Sequence, residues 1–181
     1  MKYIFTLKPV LIALLVMISC TMKATEVSYT TDDGFSYRMN LESLNASFCG
    51  YYGNATEIVI PESFTCEGLV FKVTSLGNEC FYGCKSLRSV DIPSSVTSLG
   101  NHCFRGCSSL TSIEIPSSVT SLGNYCFLGC SSLTSVNIPS SVTSLRDYCF
   151  RGCSSLTSIE IPSSVTSLGV ACFAGCSSLT S

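Results

Sequence analysis

Cysteine carries the most chemical potential in this chain. Thirteen occur in 181 residues, and ten of them form C-x-x-x-C pairs: Cys80/Cys84, Cys103/Cys107, Cys126/Cys130, Cys149/Cys153 and Cys172/Cys176. Paired thiols offer three chemistries: oxidation to disulfides, metal binding as thiolates, or nucleophilic attack. A nucleophile needs a base held in one place. The single histidine, His102, stands where Glu79, Tyr125, Tyr148 and Ala171 stand in equivalent segments, which marks a tolerated surface variation. Zinc needs four converging thiolates; two pairs supply the number, but C-x-x-x-C is not the usual C-x-x-C knuckle, and the flanking Phe and Leu would desolvate the charge. The reading therefore assigns no catalytic residue, no metal site and no cofactor.

The elements that position these pairs follow from a period. The string L-G-N-E-C-F-Y-G-C-K-S-L-R-S-V-D-I-P-S-S-V-T-S beginning at Leu76 returns at Leu99, Leu122, Leu145 and Leu168, every 23 residues. Units of this length lie in the leucine-rich-repeat range, where one unit makes one coil and buries its apolar face only by stacking on neighbours. The expected fold is an α/β solenoid. It is a right-handed leucine-rich-repeat coil with short strands stacked in a parallel sheet, short helical turns and an N-terminal β cap.

Within each unit the alternation Val90-Asp91-Ile92, repeated as Ile113-Glu114-Ile115, Val136-Asn137-Ile138 and Ile159-Glu160-Ile161, reads as a strand with its middle residue outward. Pro93, Pro116, Pro139 and Pro162 end it, since proline lacks the N–H a ladder needs. The N-x-C-F-x-G-C segment is too short for a long helix and is expected to make one helical turn ending near Gly83, Gly106, Gly129, Gly152 or Gly175. Stacking then places Phe81, Phe104, Phe127, Phe150 and Phe173 in one interior column.

Three segments follow: 1–24, a secretory signal; 25–75, the N-terminal β cap with a first degenerate repeat; and 76–181, the regular repeats. Strand-like pieces in the second are Phe35–Met39, Glu57–Ile60 and Leu69–Val73. The last unit holds 14 of its 23 residues, so an uncapped apolar end favours self-association there or a fragment of a longer array.

Coil stacking also constrains the thiols. Coils about 4.8 Å apart keep equivalent Cβ atoms near that separation, beyond the disulfide range of about 3.5–4.5 Å. Geometry favours buried reduced thiols packing as small apolar groups. A Cys49–Cys66 disulfide, outside the ladder, is the alternative.

The combination of I-P-S-S-V-T-S-L-G with C-F-x-G-C-S-S-L-T-S, over residues 58–181, resembles the BspA-like leucine-rich repeats of bacterial surface proteins. The resemblance implies a curved solenoid displayed at the cell surface, adhesion to host matrix proteins and other cells, and no enzymatic residues. One departure stands out. The family usually has a small residue such as Ala before the Phe, where this chain has Cys80, Cys103, Cys126, Cys149 and Cys172.

Removing the invariant frame leaves two outward stripes as the candidate partner-binding surface: Arg88, Thr111, Thr134 and Thr157, and beside them Asp91, Glu114, Asn137 and Glu160. Solenoid strand faces bind extended partners through many weak contacts. The same residues also suit a plain soluble sheet surface, since Thr favours strands and charge protects edges. The expected partner is a host matrix or cell-surface protein, or a glycan; the alternatives are a structural spacer or self-assembling surface repeat protein, and cysteine-based redox or metal binding.

Charge and targeting set the compartment. A formal net charge of -2 leaves no basic footprint for nucleic acid. Lys2 and Lys8 precede the apolar run Val10–Ile18, which is too short to span a bilayer and fits a secretory signal. Cleavage after Ala24 competes with a loose lipobox, Met17-Ile18-Ser19-Cys20, that would attach lipid to Cys20 and give the only membrane link. The protein is expected to be exported, either secreted or held at the cell surface.

Overall fold

The computed structural model describes residues 26–180 other than Tyr52. The signal segment and Cys20 lie outside the described residues. β1 (Glu26–Thr30), β2 (Phe35–Asn40) and β3 (Asn45–Tyr51) form an antiparallel meander. After β4 (Glu57–Val59), β5 (Ser63–Cys66) and β6 (Leu69–Leu76) make a hairpin. β3 then lies parallel to β6, with Phe48 opposite Leu76.

From β6 onward the chain is a stack of coils. β7 (Ser89–Asp91) and β8 (Ser98–Leu99) belong to one coil, β9 (Ser112–Glu114) and β10 (Ser121–Leu122) to the next, β11 (Ser135–Asn137) and β12 (Ser144–Leu145) to the third, and β13 (Ser167–Leu168) to the last. Equivalent residues pair in parallel 23 apart, as Val136 with Ile113 and Leu122 with Leu99. β4 pairs parallel with β7, Ile58 opposite Val90 at an offset of 32, so Ile58-Val59-Ile60-Pro61 is the strand of a longer, degenerate first coil.

Identical side chains therefore stack. Phe48, Phe81, Phe104, Phe127, Phe150 and Phe173 form one column, with centroids 5.1–5.6 Å apart and the last three ring pairs within 6° of parallel. Phe81, Phe104, Phe127 and Phe150 are fully buried. Each adds a large apolar area removed from water as well as an aromatic contact.

The fold is all-β, not α/β: among the described residues there is no helix. The N-x-C-F-x-G-C segment makes turns, for two reasons visible in the backbone. Glu79, His102, Tyr125, Tyr148 and Ala171 hold φ between 49° and 60°, in the left-handed region that interrupts a right-handed helix. Alternate N–H groups also leave the turn altogether: those of Glu79, Phe81 and Gly83 donate to Asn101, Cys103 and Arg105 carbonyls of the next coil at 2.8–2.9 Å, while Tyr82 and Cys84 donate back to Glu79 and Phe81 at 3.0 and 3.1 Å. Stacking claims half the donors a helix would keep.

Candidate functional site

The strand face is built by the register. Val59 pairs with Asp91, and separately Glu114 with Asn137, which bridges to Glu160; β7 and β9 are adjacent but unpaired, and all these middle residues are exposed. A shallow groove of about 410 Å³ runs beside it, lined by Glu114, Asn137, Glu160, Ser117, Ser140 and Pro139 among others. The one ion pair among the described residues joins Arg38 and Glu26, so Asp91, Glu114 and Glu160 face solvent without a cation.

The other stripe is tied into the frame. Arg88, Thr111 and Thr134 are exposed but stand one residue ahead of β7, β9 and β11. The hydroxyls of Thr111, Thr134 and Thr157 donate to the carbonyls of Arg88, Thr111 and Thr134 at 3.4, 3.1 and 3.3 Å. These donors are spent on the preceding coil, which leaves the Asp91–Glu160 file as the freer polar surface.

The cysteines divide into two columns. The Cys107, Cys130, Cys153 and Cys176 thiols donate to the Phe81, Phe104, Phe127 and Phe150 carbonyls at 3.0–3.2 Å. In the other column, Cys80 and Cys103 touch with Sγ atoms 3.3 Å apart. Burial pushes the Cys153 thiol up to about 12 and the Cys103, Cys130 and Cys149 thiols well above their usual range. A thiol so disfavoured as thiolate is a poor nucleophile and metal ligand. Cys49 and Cys66 are free thiols in separate surroundings: Cys49 donates to the Ser47 carbonyl, and Cys66 closes the β5–β6 hairpin opposite Leu69. The disulfide considered between them is therefore not present.

Three features escape a reading by residue type. His102, Tyr125 and Tyr148 form a half-buried aromatic stack with centroids 4.7 and 4.8 Å apart, flanked by Arg151 over Tyr148. Asn78, Asn101 and Asn124 accept the N–H of Asn101, Asn124 and Asp147 with Oδ1 at 2.8, 2.8 and 3.3 Å, and Asp147 continues the ladder to Val170 at 2.8 Å. Beside them Gly100 and Gly123 press against the preceding coil: a Cβ at either would lie 2.5–2.6 Å from Gly77 or Gly100 backbone atoms. The recurring L-G-N string is the signal that marks both files.

A family model for the BspA type leucine-rich repeat region matches residues 45–180 in six copies. The chain belongs to the BspA-type leucine-rich repeat family. Its six copies take in the irregular segment from β3 onward, ahead of the clear period. Among solved structures, the chain is 28% identical to a leucine-rich cell surface protein from Faecalibacterium prausnitzii, with a TM-score of 0.62, covering 86% of this chain and 54% of that one. It thus spans about half that protein's length. A T. pallidum leucine-rich repeat protein is 24% identical with a TM-score of 0.53, covering 84% and 91% of the two chains. The pneumococcal vaccine antigen PcpA is 17% identical with a TM-score of 0.62, covering 82% and 47%. These last two bear on the fold alone. A search of curated proteins returns no match.

Proposed function

We propose that this BspA-type array is a non-enzymatic adhesion module, exported and displayed at the cell surface, that holds a host protein or glycan on its strand face. The observation that carries this reading is the register itself, which turns Glu114, Asn137 and Glu160 into one exposed polar file beside a groove, with Asp91 exposed at the equivalent position of the coil before. Such a file gives a partner several weak contacts at coil spacing, and their sum provides affinity. Membership in a surface-protein repeat family and likeness to a leucine-rich cell surface protein support export and display. In the same reading Cys20 or cleavage after Ala24 sets the attachment, and the β1–β3 meander covers the first coil, continuing the aromatic column through Phe48. The test is a screen of the mature chain against immobilised matrix proteins and glycans, with the triple variant D91N/E114Q/E160Q as comparison. Binding that falls at least several-fold in the variant supports the strand face; equal binding moves the contact elsewhere.

A further inference from the structure

The glycine and asparagine files meet in a second concavity that shares no lining residue with the strand-face groove. This trough of about 290 Å³ crosses three coils over Gly100 and Gly123, between Asn78, Asn101 and Asn124 on one side and Ser121 on the other, and Arg146 closes it. The three carboxamides have each committed Oδ1 to an N–H of the next coil. What remains to them is the amide NH2, a donor. With the Ser121 hydroxyl and the Arg146 guanidinium, these amides give the trough several hydrogen-bond donors.

Arg146 is the departure that draws attention to it. It stands where Gly77, Gly100, Gly123 and Gly169 stand in the other coils. The frame loses order at that step. Gly100, Gly123 and Gly169 donate their N–H to Leu76, Leu99 and Leu145 carbonyls at 2.7–2.9 Å, and Thr97, Thr120 and Thr166 donate to Thr74, Thr97 and Thr143 at 2.9–3.0 Å; Arg146 and Thr143 have no such bond. β10 and β12 are unpaired, so the ladder running through β6, β8 and β10 stops and β12 pairs only with β13; β7 and β9 are unpaired too, so it is the two missing backbone bonds that set the step at Arg146 apart. The Asn124 bond to Asp147 lengthens to 3.3 Å. No ion pair within the described residues occupies the guanidinium in return. Proteins break local packing rules chiefly at functional sites, which makes Arg146 a candidate for one.

We propose that this trough binds an acidic oligosaccharide, with one carboxylate or sulfate on Arg146 and neutral hydroxyl and ring oxygens on the Asn78, Asn101 and Asn124 amides. One cation among several neutral donors suits a chain whose acid groups are separated by neutral oxygens. A polyacidic peptide would need a cation at every step. The proposal is independent of the strand-face reading.

The experiment is calorimetric titration of the full mature chain with hyaluronan hexasaccharide, chondroitin sulfate hexasaccharide, carboxyl-reduced hyaluronan and oligo-glutamate. Binding is expected for the first two, with their ratio showing whether carboxylate or sulfate is preferred, and not for the last two. The double variant N101D/N124D keeps the inward acceptor, as Asp147 already does toward Val170 at 2.8 Å, while replacing donors with negative charge. It is expected to weaken binding about tenfold or more, as is R146Q, because each loses a charge-assisted or donor contact. Urea midpoints separate this loss from unfolding, and R146G provides a second check, since it removes the guanidinium while favouring the stack. Unchanged affinity in folded N101D/N124D, equally tight oligo-glutamate, or no binding of either acidic glycan at millimolar concentration overturns the proposal.

Discussion

Replacing Arg146 by glycine should make the protein more stable. At every neighbouring step the glycine lets the coil close until its N–H reaches the leucine carbonyl below, at 2.7–2.9 Å. A Cβ at the equivalent Gly123 would stand 2.5 Å from the backbone of Gly100, so the side chain at 146 is enough to hold the coil off. Arg146→Gly is expected to restore two backbone hydrogen bonds, from position 146 to Leu122 and from Thr143 to Thr120. At about 0.5–1.5 kcal/mol each these contribute about 1–3 kcal/mol, from which the greater unfolded freedom of glycine subtracts about 0.5–1 kcal/mol. A net gain of about 1 kcal/mol, near the middle of that range, corresponds to a rise of roughly 2–4 °C in Tm for a chain of this length. Native-state amide exchange checks the mechanism, because protection should rise at Thr143 and at position 146 and stay level at Tyr125, whose bond to Asp147 is already made at 2.9 Å. Unchanged protection at those two amides, or a lower melting point, would refute the account of the seam.

The remaining predictions concern the core. Phe127→Ala removes a fully buried ring stacked on both sides, at 5.3 Å on Phe104 and 5.2 Å on Phe150, and should cost about 3–5 kcal/mol, read as a drop in the urea midpoint. Alkaline pH should also destabilise the stack. Burial raises the folded-state thiol values, so the folded chain keeps protons that the unfolded chain releases; the associated stability is intact below about pH 9 and declines as pH rises toward the folded value of Cys153, about 12. Urea midpoints from pH 7 to 11 should fall above pH 9, and Cys153→Ala should flatten part of that fall; a midpoint independent of pH would contradict it.

The period made much of this architecture legible. An apolar residue recurring every 23 positions must sit over its copy once coils stack, so the Phe column and the V-D-I strands follow from spacing alone. The turn was less readable. N-x-C-F-x-G-C has the length and terminal glycine of a helical turn, but which carbonyl each N–H reaches depends on the neighbouring coil, and His102 and Tyr125 adopt left-handed φ although their side chains do not advertise it. The outward strand residues are those that vary between otherwise identical units, whereas the spent hydroxyls of Thr111 and Thr134 appear only with distances. An asparagine after glycine reads as ordinary turn chemistry, so the ladder from Asn78 to Asp147 was hidden. Arg146 is one altered letter in a repeat; its effect on pairing is a matter of ångströms between backbones.

The backbone bonds between regular coils join neighbouring coils, most of them between residues 23 apart or nearly so. Duplication or deletion of one complete unit, the product expected when near-identical repeats recombine out of alignment, would leave the coil-on-coil register as it was. Reach and valency can thus change in whole steps during inheritance without the fold being rediscovered, while extra residues within a unit have to be absorbed locally, as they are between Ile58 and its partner Val90, 32 positions on.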